Sequence, residues 1–186
     1  MTAVTPLLLA TAAVLAAAPA VGDRTPGRGD RVRIPAIGVD ADVLPVGLDG
    51  GGALEVPSFR DAAKVGWYTL GPRPGARGPA VLVGHRDAPA EPPGRGYRDA
   101  VFARLDRLRP GDRIETTTST GRRTAFEVTA VDTYRTTAFP TDKVYAPAAG
   151  PQLRLLSCGG RIGGDGHWDS NVVVTAELTA RPPAST

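Results

Sequence analysis

The sequence predicts a mainly β domain of short strands joined by tight turns, and three observations carry that prediction. Apolar residues gather in runs of strand length at 81–83, 153–156 and 172–174, each flanked by turn-forming residues or by polar ones. The 18 prolines and 23 glycines break the 186 residues into brief segments, which is the punctuation of turns and not of a helical bundle. Helical spacing of apolar side chains is confined to one stretch, 97–109. A single domain of ordinary size accounts for the length, and an apolar share of 41% is enough for a core.

Taken in order, residues 6–21 are almost wholly apolar, and no charged side chain precedes Asp23. Such a segment is short for a spanning helix and fits the apolar region of a secretory signal, with Ala18-Pro19-Ala20 as a small-residue cleavage site. The basic residues usual ahead of a signal are missing, so residues 1–22 read either as a cleaved signal or as an N-terminal anchor in contact with the membrane. Both readings put the rest of the chain outside the cell. Residues 23–30 are a polar, Gly/Pro-rich linker, 31–180 the folded domain, and 181–186 a disordered tail. The net charge of +3 comes from arginines interleaved with acids along the whole chain. That is a mixed solvated surface, and it offers no stripe for nucleic acid.

Within the domain, 31–48 alternates apolar and polar residues between Pro35 and Pro45, predicting one or two edge-type strands, because proline cannot donate to a central ladder. Residues 53–56 and 65–68 predict two more strands, the second carrying Trp67 into the core, and 71–79 a turn-rich loop. Residues 81–83 make a buried strand that bends at Gly84, and 88–96 is a loop. Val101, Phe102, Leu105 and Leu108 predict a short amphipathic helix within 97–109. Residues 112–117 and 124–134 are rich in Thr, Val, Ile and Phe and pair across a turn at 119–123. An irregular loop at 138–150 leads to the strand at 153–156, which breaks at Gly159-Gly160. A mobile loop at 161–170 precedes the clearest strand, 171–178.

The chemistry gathers at two of these strand ends. Cys158 is the sole cysteine, so in an exported chain it pairs with another molecule, stays buried, or acts as a reactive thiol. Its place at the end of a strand, before two glycines that admit another backbone, suits a nucleophile. His85 stands at the end of the 81–83 strand and is one of two histidines. A thiol and an imidazole in contact favour thiolate and imidazolium together, each charge stabilising the other. A metal set of His85, Asp87, Cys158 and His167 is a further reading; it lacks the close-spaced pairs of structural zinc sites, and the expectation is no metal and no cofactor.

The strings V-G-H-R-D at 83–87, L-R-P-G-D-R at 108–113, L-L-S-C-G-G at 155–160 and N-V-V-V-T-A at 171–176 together resemble the sortases, most of all the actinobacterial class F group. The likeness runs from about 31 to 180 and takes in R-I-P-A-I-G-V-D at 33–40, V-G-W-Y at 65–68 and A-F-P-T-D-K-V-Y at 138–145. It implies a closed eight-stranded β-barrel on the outer face of a Gram-positive envelope, acting as a cysteine transpeptidase. Cys158 would form a thioester with an LPXTG-like sorting signal, and His85 would protonate the departing amine. An amine acceptor such as a cell-wall precursor would then take the acyl group.

One departure stands out. The family has an arginine on or just before the last strand, and here Asp169 and Asn171 stand in that region. An oxyanion needs preorganised donors, and losing one costs about a hundredfold or more in rate. Arg161 is the nearest replacement in sequence, and the neutral Asn171 amide is a weaker one. Ser157, Trp168 and Asn171 are the candidates for contact with substrate. The rival to catalysis is an impaired barrel that binds a sorting peptide without cleaving it. An L,D-type cysteine transpeptidase fits less well, since its His-Gly ahead of the cysteine is absent before Cys158.

Overall fold

The computed structural model describes residues 29–92, 94–164 and 166–179. The expected export segment, most of the linker and the tail lie outside the described residues. Ten strands follow in chain order: β1 (Arg31–Ile34), β2 (Val39–Val46), β3 (Val65–Tyr68), β4 (Gly78–Val83), β5 (Asp87–Pro89), β6 (Tyr97–Asp99), β7 (Arg113–Thr117), β8 (Arg123–Arg135), β9 (Pro151–Ile162) and β10 (Trp168–Leu178). Eight of them close into a barrel in the order β1-β2-β3-β4-β9-β10-β8-β7, and β5 pairs with β6 in a separate ribbon. Among the described residues, closure leaves the barrel itself without an open edge. Among the described residues no helix is long and apolar enough to cross a membrane.

The two-residue period of a strand decides which side chains fill the barrel. Ala80 and Leu82 of β4, Leu153 and Leu155 of β9, and Val172 and Val174 of β10 point inward, where they join Ile34, Trp67, Phe102, Ile114 and Phe126. The alternate residues Val81, Val83, Leu156 and Val173 point outward. There they are covered by Val144 from the short helix α1 (Thr141–Tyr145). Each fully buried side chain of this size contributes about 1.5–3 kcal/mol, so these three strands are held from both faces.

Several expectations need correction. Strand β2 is internal, paired with β1 on one side and β3 on the other. Pro45 is tolerated there because β1 reaches no further than Asp42, and the Val46 carbonyl accepts from the Thr69 N–H on the β3 side. Backbone groups alternate sides along a strand, so the side on which Pro45 lacks an N–H faces past the end of β1. Residues 53–56 form no strand, only a single bridge from Leu54 to Leu48.

The helix expected within 97–109 is also absent. Its place is taken by β6 and one 3-10 turn, Leu105–Arg107. The N–H groups of Ala100, Val101 and Phe102 donate to Arg86, Ala62 and His85. Those donors go to distant carbonyls, so no helical ladder forms, although Phe102, Leu105 and Leu108 are buried as their spacing suggested. Conversely, the stretch expected to be irregular at 138–150 holds α1. The expected mobile loop at 161–170 is mostly hairpin, with Ile162 paired to Trp168 and the Gly163 N–H bonded to the His167 carbonyl at 2.8 Å. Asp30, expected in the linker, belongs to the fold: it is 8% exposed, accepts from the Ser119 N–H at 2.6 Å and pairs with Arg73.

Candidate active site

The outer face of β4, β9 and β10 turns from apolar to polar at one end. Two places beyond Leu156 stands Cys158 and two places before Val173 stands Asn171, so both share that face, and His85, just past the end of β4, lines the same cleft. Strands β4 and β9 are parallel, with Val83 beside Leu156. Their pairing persists one step further, where the Gly84 N–H donates to the Leu156 carbonyl at 3.1 Å and the buried Ser157 hydroxyl donates to the Gly84 carbonyl at 2.9 Å. His85 thus leaves β4 alongside Cys158, far away in sequence. On the other flank β10 sets Asn171 directly opposite Cys158. Facing residues of an antiparallel pair project to the same side.

Cys158, His85 and Asn171 line one cleft of about 960 Å³. Its walls include Leu48, Val56, Phe59, Tyr97 and Ile162, all large hydrophobics that remain exposed. A long apolar groove with a few polar groups on its floor is the shape of a binding site for an extended, largely apolar ligand.

Each polar group on the floor is held by identifiable neighbours. His85 Nε2 lies 2.6 Å from the Pro57 carbonyl oxygen. A carbonyl only accepts, so Nε2 carries the hydrogen, and Nδ1 is the nitrogen left to take or release a proton. The Phe59 ring covers the imidazole at 4.8 Å, and the Phe102 N–H holds the His85 carbonyl at 2.9 Å. Gly84 permits that approach, since a Cβ there would lie 2.7 Å from both Phe102 and Val101. Cys158 is exposed to the cleft. Partial enclosure by protein nonetheless pushes its thiol above the ordinary range; the Asp87 carboxylate adds to the rise and the Arg86 guanidinium opposes it.

Strand β9 does not end at the glycines as expected but runs through Cys158 to Ile162. Gly160 makes this possible twice over: its φ of +80° is open to glycine, and a Cβ would overlap Asp169 and Ser170. The Asp169 carboxylate is held below the usual range by the Arg161 N–H and by the Ser170 hydroxyl. The hairpin is therefore locked where the arginine was sought.

Of the other expected residues, Trp168 lines the cleft and its indole N–H donates to Asp87 at 3.1 Å. Ser157 is 4% exposed, and its hydroxyl fixes the exit of β4. Arg161 is exposed and does not line the cleft. Among the described residues no cluster of His, Cys, Asp and Glu is arranged to hold a metal.

A family model described as the Sortase domain matches residues 32–179. The chain belongs to the sortase family. No curated protein sequence matches it. Among solved structures, this sortase is similar to sortase A from Corynebacterium diphtheriae, with a TM-score of 0.60 and 18% identity over 84% of this chain and 62% of that one. It is likewise similar to sortase C-1 from Actinomyces oris, with a TM-score of 0.58 and 20% identity over 82% of this chain and 74% of that one. Sortase C from Clostridium perfringens matches with a TM-score of 0.57 and 17% identity over 81% of this chain and 69% of that one. The chain thus spans less than two thirds of the Corynebacterium protein's length. The shared property is the barrel.

Sequence reasoning missed the contacts that Pro57, Phe59, Arg86 and Asp87 make around this sortase's cleft. The Pro57 carbonyl and Phe59 carried no signal, because a loop residue reaches the histidine only through folding. Arg86 and Asp87 directly follow His85, and adjacency was the available signal. Arg86 follows a strand that ends at Val83, and its guanidinium lies over the Trp168 ring.

Proposed function

We propose that this sortase is a cysteine transpeptidase of the class F-like kind, exported and working at the outer face of the membrane or wall on an LPXTG-like sorting signal. The Cys158 sulfur attacks the backbone carbonyl after the threonine, and its proton passes to Nδ1 of His85. The C–N bond breaks, and that proton leaves with the departing amine. An incoming amine, such as one on a cell-wall precursor, then attacks the thioester, gives up a proton through the same nitrogen and frees the thiol. The Asn171 side-chain amide, opposite the sulfur, is the neutral donor to the oxyanion, in preference to Arg161. The observation that supports this reading is the gathering of Cys158, His85 and Asn171 at the floor of a single apolar cleft. The class F-like assignment rests on the strings at 83–87, 155–160 and 171–176.

The test is intact-mass analysis of the purified chain with an LPXTG pentapeptide library, with and without triglycine. An acyl adduct on Cys158 that triglycine resolves into a new peptide is the expected result. Neither adduct nor cleavage with any peptide would overturn it. One observation favours a second reading, a barrel that binds a sorting peptide without cleaving it: no Arg or Lys is among the described residues lining the cleft. Peptide binding by calorimetry with no adduct would establish that reading instead.

A further inference from the structure

The geometry points to Arg86 as the residue that holds Trp168 in the cleft wall, a positioning role supplied from the β4 exit and not from the last strand. The inference rests on Cys158 being the working thiol of the cleft. Three contacts build it. The Arg86 guanidinium lies 4.6 Å over the Trp168 ring. Asp106 anchors the same guanidinium at 3.1 Å, and the Arg86 side chain is only 19% exposed. Asp87 takes the indole N–H at 3.1 Å. Trp168 is thus gripped on its face and at its edge by the two residues that follow His85.

That grip ties the tip of the β9–β10 hairpin to the end of β4, the two elements that flank the sulfur. A guanidinium over an aromatic face is attracted to the ring's electron density, and a partly desolvated one more strongly than an exposed one. The flat guanidinium also stacks where an ammonium does not. No Arg or Lys is among the described residues lining the cleft, and the Arg86 guanidinium meets its wall through Trp168. The ionisable groups that line the cleft with Cys158 are His85 and Asp87 from the β4 exit, His167 from the hairpin turn and Tyr145 from α1, with Arg86 set over Trp168. Asp106 sits behind Arg86. Among these, Asp87 raises the thiol and Arg86 lowers it, so Arg86 offsets the carboxylate that fixes the tryptophan.

The experiment is the pH dependence of Cys158 alkylation by iodoacetamide, read on the full chain for wild type, Arg86→Gln, Arg86→Lys and Arg161→Gln. Arg86→Gln should move the midpoint up by about half a pH unit, roughly a threefold loss of thiolate at fixed pH. Arg86→Lys should recover the midpoint while leaving Trp168 fluorescence altered, because lysine keeps the charge and loses the stacking fork. Arg161→Gln should overlay wild type. Asp106→Asn, which touches neither the cleft nor the tryptophan, should give a smaller shift and covers the case in which Arg86→Gln fails to fold. An unchanged midpoint in both Arg86→Gln and Asp106→Asn, or an equal shift in Arg161→Gln, would overturn the inference. Alkylation needs no peptide, so the inference can fail while cleavage succeeds and can stand while cleavage fails.

Discussion

The inner and outer faces of β4, β9 and β10 come from the same residues read at alternate places, and they serve different ends. The inner face is Leu82, Leu155 and Val172, with exposures of 0%, 0% and 1%. The outer face starts the same way, with Val83, Leu156 and Val173 under α1, and then passes to His85, Cys158 and Asn171 where the cover opens into the cleft. The site is an apolar layer left unroofed at one end. Position there is inherited, since Cys158 and Asn171 each sit two places along a strand from a packed residue, Leu156 and Val173. Substitutions on the inner face should therefore be felt as stability, and those on the open part of the outer face as chemistry.

Four predictions test that division, from the largest effect down. Cys158→Ala should reduce peptide turnover to background while stability in urea stays within about 0.5 kcal/mol of wild type, because the side chain is exposed; a large loss of stability would break the comparison. Leu155→Ala, at a fully buried inner position, should cost about 2–5 kcal/mol in urea unfolding. Below its transition it should leave the Cys158 alkylation rate near that of wild type. Asn171→Ala should lower kcat for the LPXTG peptide by about tenfold or more, with KM changed far less, as expected when a donor acts in the transition state; an effect on KM alone would make Asn171 a binding residue. The smallest is a matter of one proton: nitrogen NMR of neutral His85 should find the hydrogen on Nε2, bonded to the Pro57 carbonyl, and a hydrogen on Nδ1 would reverse the assignment of the working nitrogen.

The contrast between the two faces also explains what was legible in advance. The strands at 65–68, 81–83 and 171–178 and the hairpin of β7 and β8 were legible because alternation and β-branched residues are local properties. The helix expected within 97–109 failed because its spacing recorded burial correctly, while the N–H groups of 100–102 were claimed by carbonyls of Ala62, His85 and Arg86. Arg161 illustrates the same limit. It is close to Cys158 in sequence, yet it stands exposed on the hairpin outside the cleft, while Arg86, on another strand's exit, is gripped beside it.

By itself the sequence determined the β class of the domain, the solitary thiol at the 153–158 strand and the histidine at the end of another, since these depend on residue type and period along a short stretch. Only the tertiary structure decided that β4 and β9 lie parallel with His85 beside Cys158, that β10 puts Asn171 across from the sulfur, and that Pro57, Phe59 and Arg86 close around them. The physical reason is that pairing between strands distant in the chain is set by burying both of their faces at once, a condition on the whole barrel that no single segment contains.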